Sequence, residues 1–169
     1  GDDGVDAVGD RLGHVAFGVA RFPGDPHVEL NARIAKRSHG IAHIVIAGGS
    51  GFLGSALTNA LTHAGHEVTV LTRQNPARMP VQPRLAHLLW NPNGQSGPWA
   101  TAIGNAEAVV NLSGESIAAK RWSAAQKQKL RDSRLMATRS ITAAVREAAR
   151  APGVLVSGSA VGYYGNRGD

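Results

Sequence analysis

The chain has 169 residues with 43% hydrophobic and 18% charged side chains, which is the composition of a globular protein rather than of a disordered one. It contains no cysteine, which excludes disulfides and thiolate chemistry, and its formal net charge is +6. No apolar run reaches the roughly 18 residues that a membrane span needs, and the acidic start GDDGVDAVGD is unlike a secretory signal. We therefore expect a soluble cytoplasmic protein that does not bind a membrane.

Residues 1–40 differ in composition from the rest of the chain, because Gly, Asp and Pro are scattered through them. Their patterns predict a short strand over residues 14–19 and a short helix over residues 27–36, neither with enough apolar neighbours to form a core. We predict that this region is a poorly ordered linker or the tail of an upstream domain, followed by one domain over residues 41–169.

From residue 41 onward, short apolar segments alternate with helical patterns. Five strands are predicted over residues 42–47, 67–72, 85–90, 108–112 and 154–157. One helix after the first strand has an apolar stripe, formed by Leu53, Leu57, Ala60, Leu61 and Ala64. A second helix begins with a capping box of Ser123 and Gln126 and continues towards residue 149. This alternation predicts an α/β fold with right-handed crossovers and a parallel sheet.

The segment GGSGFLG joins the first predicted strand to the first predicted helix. Gly48, Gly51 and Gly54 have the spacing G-x-x-G-x-x-G, which permits a sharp turn, close approach of a ligand and tight packing of helix on strand. The helix directs its free N–H groups and positive dipole end at this corner, where a pyrophosphate fits. The alternative is a turn without a ligand. The strand before it, the helix after it and a second strand about 20 residues later favour dinucleotide binding.

The residues that follow the second predicted strand bear on the choice of cofactor. Enzymes that select NAD usually place Asp or Glu there, whereas this chain has Thr72, Arg73 and, further on, Arg78. A guanidinium can hold a 2′-phosphate through two charge-assisted hydrogen bonds, so NADP is favoured over NAD. A solvated loop arginine is the alternative interpretation.

Much of the positive charge lies on residues 120–150, a segment that also has the pattern of an amphipathic helix. A solvated helix face explains this charge, and without interleaved aromatic residues we do not expect nucleic-acid binding. No metal is expected either, because the closest histidines, His63 and His66, lie at a predicted helix end where turn residues are common. Arg134 falls on the apolar stripe of this helix, so it is predicted to face a polar cleft or to extend from the stripe's edge into solvent.

Five segments in this order resemble the YfcH-like epimerase family, an atypical branch of the extended short-chain dehydrogenase/reductases. They are IAGGSGFLGSAL, VLTR, VVNLSGESIAAKRW, KLRDSRLMATRSI and SGSAVGYYG, and the resemblance covers residues 41–169. It implies a Rossmann-like, three-layer fold that binds NADP(H) and is truncated at its C-terminal end. The family also occurs fused behind a ligand-binding domain, which residues 1–40 would suit.

The resemblance assigns site residues at three places. It gives the cofactor the whole glycine motif and the end of the fourth strand, that is, Gly48, Gly49, Ser50, Gly51, Phe52, Leu53, Gly54, Leu112, Ser113 and Gly114. It matches Ser159 to the serine that hydrogen-bonds the reacting carbonyl or hydroxyl, against the alternative of a serine that stabilises a turn. It also matches Arg134 to a helix position that contacts the cofactor or that serine.

The chain lacks the Tyr-x-x-x-Lys motif that hydride-transferring relatives pair with the serine, because Arg167 and Gly168 follow its two tyrosines at the lysine spacing. Two functions remain open. The chain is either the NADP(H)-binding part of an epimerase or reductase that acts on a sugar-nucleotide or carbonyl substrate, or a dinucleotide-binding sensor without catalysis.

Overall fold

The computed structural model describes residues 16–20, 40–116, 121 and 123–159, with residues 16–20 and Ser159 described by their backbone. A six-stranded sheet forms the middle layer. Its strands are β1 (Ala16–Ala20), β2 (His43–Ala47), β3 (Glu67–Thr72), β4 (Leu85–Leu89), β5 (Ala108–Asn111) and β6 (Val154–Ser159). Their order across the sheet is β1-β6-β5-β2-β3-β4.

Strands β2 to β6 pair in parallel, which confirms the predicted parallel sheet. These strands are rich in Val, Ile and Leu, as expected where both faces of a sheet are covered. β1 pairs antiparallel with β6 and overlaps the strand predicted over residues 14–19. The rest of the predictions for residues 1–40, including the helix over residues 27–36, lies outside the described residues.

Helices cover both faces of the sheet, as the predicted three-layer Rossmann-like fold requires. α1 (Phe52–His63) contributes Leu57 and Leu61 to an apolar cluster on one face, centred on Ile46 and Val70. α2 (Ala100–Gly104) and α3 (Ala124–Glu147) pack on the other face against Val45, Leu71 and Val109. α2 and a 3-10 helix, Pro76–Arg78, were not predicted from the sequence.

The two predicted helices differ from expectation in detail. In α1 the buried residues are Gly54 and Thr58, whereas Ala60 and Ala64 of the predicted stripe are exposed. Gly54 packs against the backbone of Gly48 and Gly49 just after β2, and Thr58 lies close to Gly49, so these small residues occupy the inner face of α1. In α3 the Ser123 hydroxyl caps the helix by accepting from the Gln126 N–H, but the Ser123 N–H donates to the Arg121 carbonyl, so half of the predicted capping box forms.

A candidate dinucleotide site at the switch point of the sheet

A cleft of about 920 Å³ lies outside the carboxyl ends of β2, β3, β4 and β5. From β2 the chain continues to β3 and β4 on one side, and β5 and β6 lie on the other side. The connections therefore diverge between β2 and β5, and a doubly wound sheet binds its ligands at such a switch point. The cleft is lined by Gly48, Ser50, Gly51, Leu71, Thr72, Arg73, Trp90, Asn91, Pro92, Leu112, Ser113, Gly114, Glu115, Ser116, Ala125, Gln128, Lys129, Asp132, Ser133, Met136 and Ala137.

The glycine corner, residues 48–54, turns the chain from β2 into α1. Gly48 has φ +85°, a left-handed conformation that side chains rarely adopt, and a Cβ there would lie 2.7 Å from the Leu112 carbonyl carbon. A Cβ on Gly54 would lie 2.1 Å from the Gly48 carbonyl oxygen, so this glycine allows helix and strand to touch. A Cβ on Gly51 would meet only the Gly48 oxygen, at 3.3 Å, so the absent side chain leaves space on the cleft side.

The amino end of α1 faces this space. Gly51 is its N-cap and offers no side-chain cap, and no acidic residue stands in the first turn. The N–H groups of the first turn are therefore free to bind an anion, and this turn itself contributes no carboxylate that would repel one. Free donors beside open space are the features by which a helix N-terminus can hold a phosphate group. Of the other predicted motif residues, Ser50 lines the cleft, whereas Gly49, Phe52 and Leu53 are not among its lining residues.

The end of β3 places Arg73 at the cleft with its side chain exposed. The buried Thr72 hydroxyl accepts the Gln74 N–H at 3.1 Å and so fixes the turn that carries Arg73. Asn75 then caps the 3-10 helix by accepting the Ala77 N–H. Arg78 lies on that helix and does not line the cleft.

The end of β4 supplies a rigid apolar wall. Trp90 and Trp99 are buried, and their rings meet edge to face with centroids 5.3 Å apart. The following loop is attached to α3, because the Gly94 N–H donates to the Ser140 hydroxyl at 2.9 Å. Trp90 thus lines the cleft, and it is held in place by its contact with Trp99 and by the attachment of the following loop to α3.

The end of β5 contains a residue that sequence reasoning missed. Asn111 is buried, and its Oδ1 accepts hydrogen bonds from the N–H and the hydroxyl of Ser113. Its Nδ2 lies 3.3 Å from the Thr138 Oγ1 and 3.4 Å from the Ser157 Oγ. Asn111 therefore directs the predicted residues Ser113 and Gly114 into the cleft. The available signal in the sequence was an asparagine at the end of an apolar strand pattern.

Of the other two predicted site residues, Arg134 is not among the lining residues of the cleft, and Ser159 is described by its backbone alone. Arg134 is half-buried, and its Nη1 donates to the carbonyls of Glu115 and Leu130. Ser159 ends β6, two residues beyond Ser157, which pairs with Asn111 in the sheet. Its backbone is thus at the same end of the sheet as the cleft, and its side chain lies outside the described residues.

Comparisons with known proteins agree with this geometry. Residues 44–169 match the NAD dependent epimerase/dehydratase family. The chain belongs to this family. It is 47% identical over 129 residues to the epimerase family protein Mb2239 of Mycobacterium bovis, covering 76% of this chain and 40% of that protein. It is 35% identical over 123 residues to the epimerase family protein YfhF of Bacillus subtilis, covering 73% and 39%.

The fold of this epimerase-family chain also resembles solved structures. The nucleoside-diphosphate sugar epimerase of Corynebacterium glutamicum matches with a TM-score of 0.55 and 28% identity, over 84% of this chain and 28% of that one. The predicted epimerase-family resemblance and Rossmann-like fold are therefore confirmed, with NAD(P) as the cofactor class of the family. The chain spans about two fifths of the length of its curated relatives.

Two further features are absent from the described part of the chain, a membrane-spanning helix and a metal-binding cluster. Its helices include none that is both long and apolar enough to cross a bilayer. Across residues 40–116 and 123–158, no three His, Asp or Glu side chains are grouped as metal ligands would be.

Proposed function

We propose that this chain is the NADP(H)-binding part of an enzyme that acts on a sugar-nucleotide or carbonyl substrate. The observation that supports it best is that the glycine corner and Arg73 line one continuous cleft. The corner would hold the pyrophosphate through the N–H groups of α1, and Arg73 would hold the 2′-phosphate of the adenosine ribose.

The surroundings of Arg73 support NADP over NAD. Residues 72–83 contain no Asp or Glu, so this stretch has no carboxylate to bind the two ribose hydroxyls of NAD or to repel a phosphate. The side chain is exposed at the cleft and borders Thr72, whose hydroxyl is already used by Gln74. Arg73 is therefore free to form charge-assisted hydrogen bonds with a ligand phosphate.

Calorimetry with NADPH and NADH tests this assignment. In Arg73→Gln we expect NADPH binding to weaken about tenfold or more, since a lost hydrogen bond to a charged group is worth about that much, while NADH binding changes less than about twofold. Arg131→Gln, an exposed arginine on α3, is the control and should change neither. Equal losses for both cofactors in Arg73→Gln would remove the NADP assignment, and a wild-type protein that binds neither would end the proposal.

For the chemistry, we propose that Ser159 polarises the substrate carbonyl or hydroxyl. Its position at the carboxyl end of β6 supports this role, because that end of an open α/β sheet is where ligands bind. In a protein of full family length, Ser159→Ala should lower kcat and leave NADPH affinity unchanged. Tight NADPH binding without turnover on any carbonyl or sugar-nucleotide substrate would instead favour the sensor. A cytoplasmic location and an upstream ligand-binding domain stay predictions.

A further inference from the structure

One residue of the cleft wall, Glu115, is bound to α3 through all of its polar groups. Its N–H donates to the Ser133 Oγ at 2.9 Å, and its carbonyl accepts from the Arg134 Nη1 at 3.2 Å. Its carboxylate lies 3.2 Å from the Lys129 Nζ. We call these three contacts the Glu115 clamp. They attach the loop after β5 to two consecutive turns of one helix.

The helix side of the clamp is itself fixed. The Ser133 hydroxyl donates to the Leu130 carbonyl at 3.0 Å, and the Arg134 Nη1 donates to the same oxygen at 3.1 Å. Leu130 is buried in the apolar face of α3. The donors and acceptors that hold Glu115 are therefore oriented before any ligand arrives.

The three contacts differ in strength. The Lys129 side chain is 58% exposed, and an ion pair open to solvent in this way contributes little. The Ser133 hydroxyl accepts from the half-buried Glu115 N–H and Arg134 donates to the Glu115 carbonyl, and leaving such backbone groups unpaired is costly. The clamp depends mainly on Ser133 and Arg134.

Arg134 lies behind the loop rather than in the cleft. A Cβ on Gly114 would be 3.1 to 3.3 Å from the Arg134 side chain, including its guanidinium carbon, so the two residues are packed together. Gly114 and Glu115 line the cleft, whereas Arg134 is not one of the residues that do. The Arg134 guanidinium therefore influences the cleft indirectly, by supporting the backbone of Gly114 and Glu115.

We propose that Ser133 and Arg134 are positioning residues for the dinucleotide. They set the backbone of Gly114 and Glu115 against the bound cofactor, and Arg134 acts through this backbone instead of touching the ligand. The inference rests on the proposed dinucleotide site. A backbone wall that is already ordered lowers the entropy lost on binding, so releasing it should weaken binding while leaving the fold intact.

The test measures NADPH affinity by calorimetry and the melting temperature of the ligand-free protein. Ser133→Ala and Arg134→Gln should each weaken binding by about 2- to 10-fold, the range for one lost backbone hydrogen bond. The double variant should lose little more than the worse single variant, because both side chains hold the same loop. Ser133→Thr, which keeps the hydroxyl, should restore affinity.

Two controls on α3 match these changes. Thr142→Ala removes a hydroxyl that bonds only within the helix, and Arg131→Gln removes an exposed guanidinium. Both should bind NADPH as the wild type does.

Unchanged affinity in Ser133→Ala and Arg134→Gln would overturn the inference, and so would additive losses, which indicate that Arg134 contacts the ligand independently. A lower melting temperature with no rescue by Ser133→Thr would assign these residues to the fold alone. A wild-type protein without NADPH binding would instead refute the proposed function.

Discussion

Asn111 and Ser113 form a closed turn directly after β5, in which the Asn111 Oδ1 accepts both the Ser113 N–H, at 3.2 Å, and the Ser113 hydroxyl. This is an Asx turn, which directs a chain sharply away from a strand. The Asn111 amide group also donates towards Thr138 on α3 and Ser157 on β6. One buried side chain thus connects two strands, one helix and the loop that borders the cleft.

Replacement of Asn111 by alanine should affect both stability and binding. Ser113, Thr138 and Ser157 lose their hydrogen bonds to this buried side chain, so we expect the free energy of unfolding to fall by about 1–3 kcal/mol. Dinucleotide affinity should fall as well, because the loop of residues 112–116 is released. Urea denaturation and calorimetry measure the two effects. The control is Asn105→Ala, an exposed asparagine after α2, and equal losses in both variants would contradict the assigned role.

Gly54→Ala should destabilise the fold, because the added methyl group would lie 2.1 Å from the Gly48 carbonyl oxygen and 2.7 Å from the Gly49 Cα. Backbone atoms cannot yield as a flexible side chain does, so we expect a loss of about 1–3 kcal/mol or more. Gly104→Ala is the matched control, since its methyl group would meet only the Ala148 Cβ, at 3.7 Å. Chemical denaturation of the two variants compares them. A Gly54→Ala variant as stable as Gly104→Ala would show that the backbone of Gly48 and Gly49 can move away from α1 at little cost in stability.

Ser140→Ala should lower stability by about 1 kcal/mol, because the Gly94 N–H loses its acceptor. Ser140 is fully buried, so water cannot replace its hydroxyl without rearrangement. Thr142→Ala, on the same helix but only half-buried and hydrogen-bonded within the helix, should have almost no effect. Thermal unfolding measures both. If Ser140→Ala is neutral, the loop after β4 does not depend on this hydrogen bond.

His87 on β4 should make stability depend on pH. Burial disfavours the charged imidazole and lowers the pKa of His87 below its ordinary value, so the unfolded chain binds a proton more readily than the folded one. Stability from this residue is present above the ordinary histidine pKa and is lost as the pH falls towards the lowered value. Urea denaturation between pH 7.5 and pH 5 should show a smaller decline in His87→Gln than in the wild type. Identical declines would contradict this assignment.

The strand pattern was predictable because buried parallel strands are short apolar runs. The five predicted parallel strands, including Glu67–Thr72 with its bounds, agree with the structure to within two residues. α2 was missed because its sequence, ATAIG, is too short to show a helical period and ends in glycine. The apolar stripe predicted for α1 included Ala60 and Ala64, which are exposed. Periodicity does not reveal that Gly54 packs against Gly48 and Gly49 just after β2.

The site was predictable where one local segment determines its geometry. Gly48, Gly51 and Gly54 act within a few residues of one another, and Arg73 follows a strand end. The roles of Asn111 and Glu115 depend on hydrogen bonds to α3, between residues 18 to 27 positions apart. Single-sequence patterns carry no information about such pairs. The apolar stripe of α3 did single out Arg134, but it did not indicate that Arg134 binds the Glu115 carbonyl.

Gly48 lies so close to the Leu112 carbonyl that the turn after β2 and the loop after β5 pack directly against each other. The two segments together form the backbone part of the cleft lining. We expect adaptation to a differently shaped cofactor or substrate to come from side chains of the lining, such as Arg73, Asn91, Gln128 and Asp132. Efforts to redesign ligand preference in this chain should begin with those side chains.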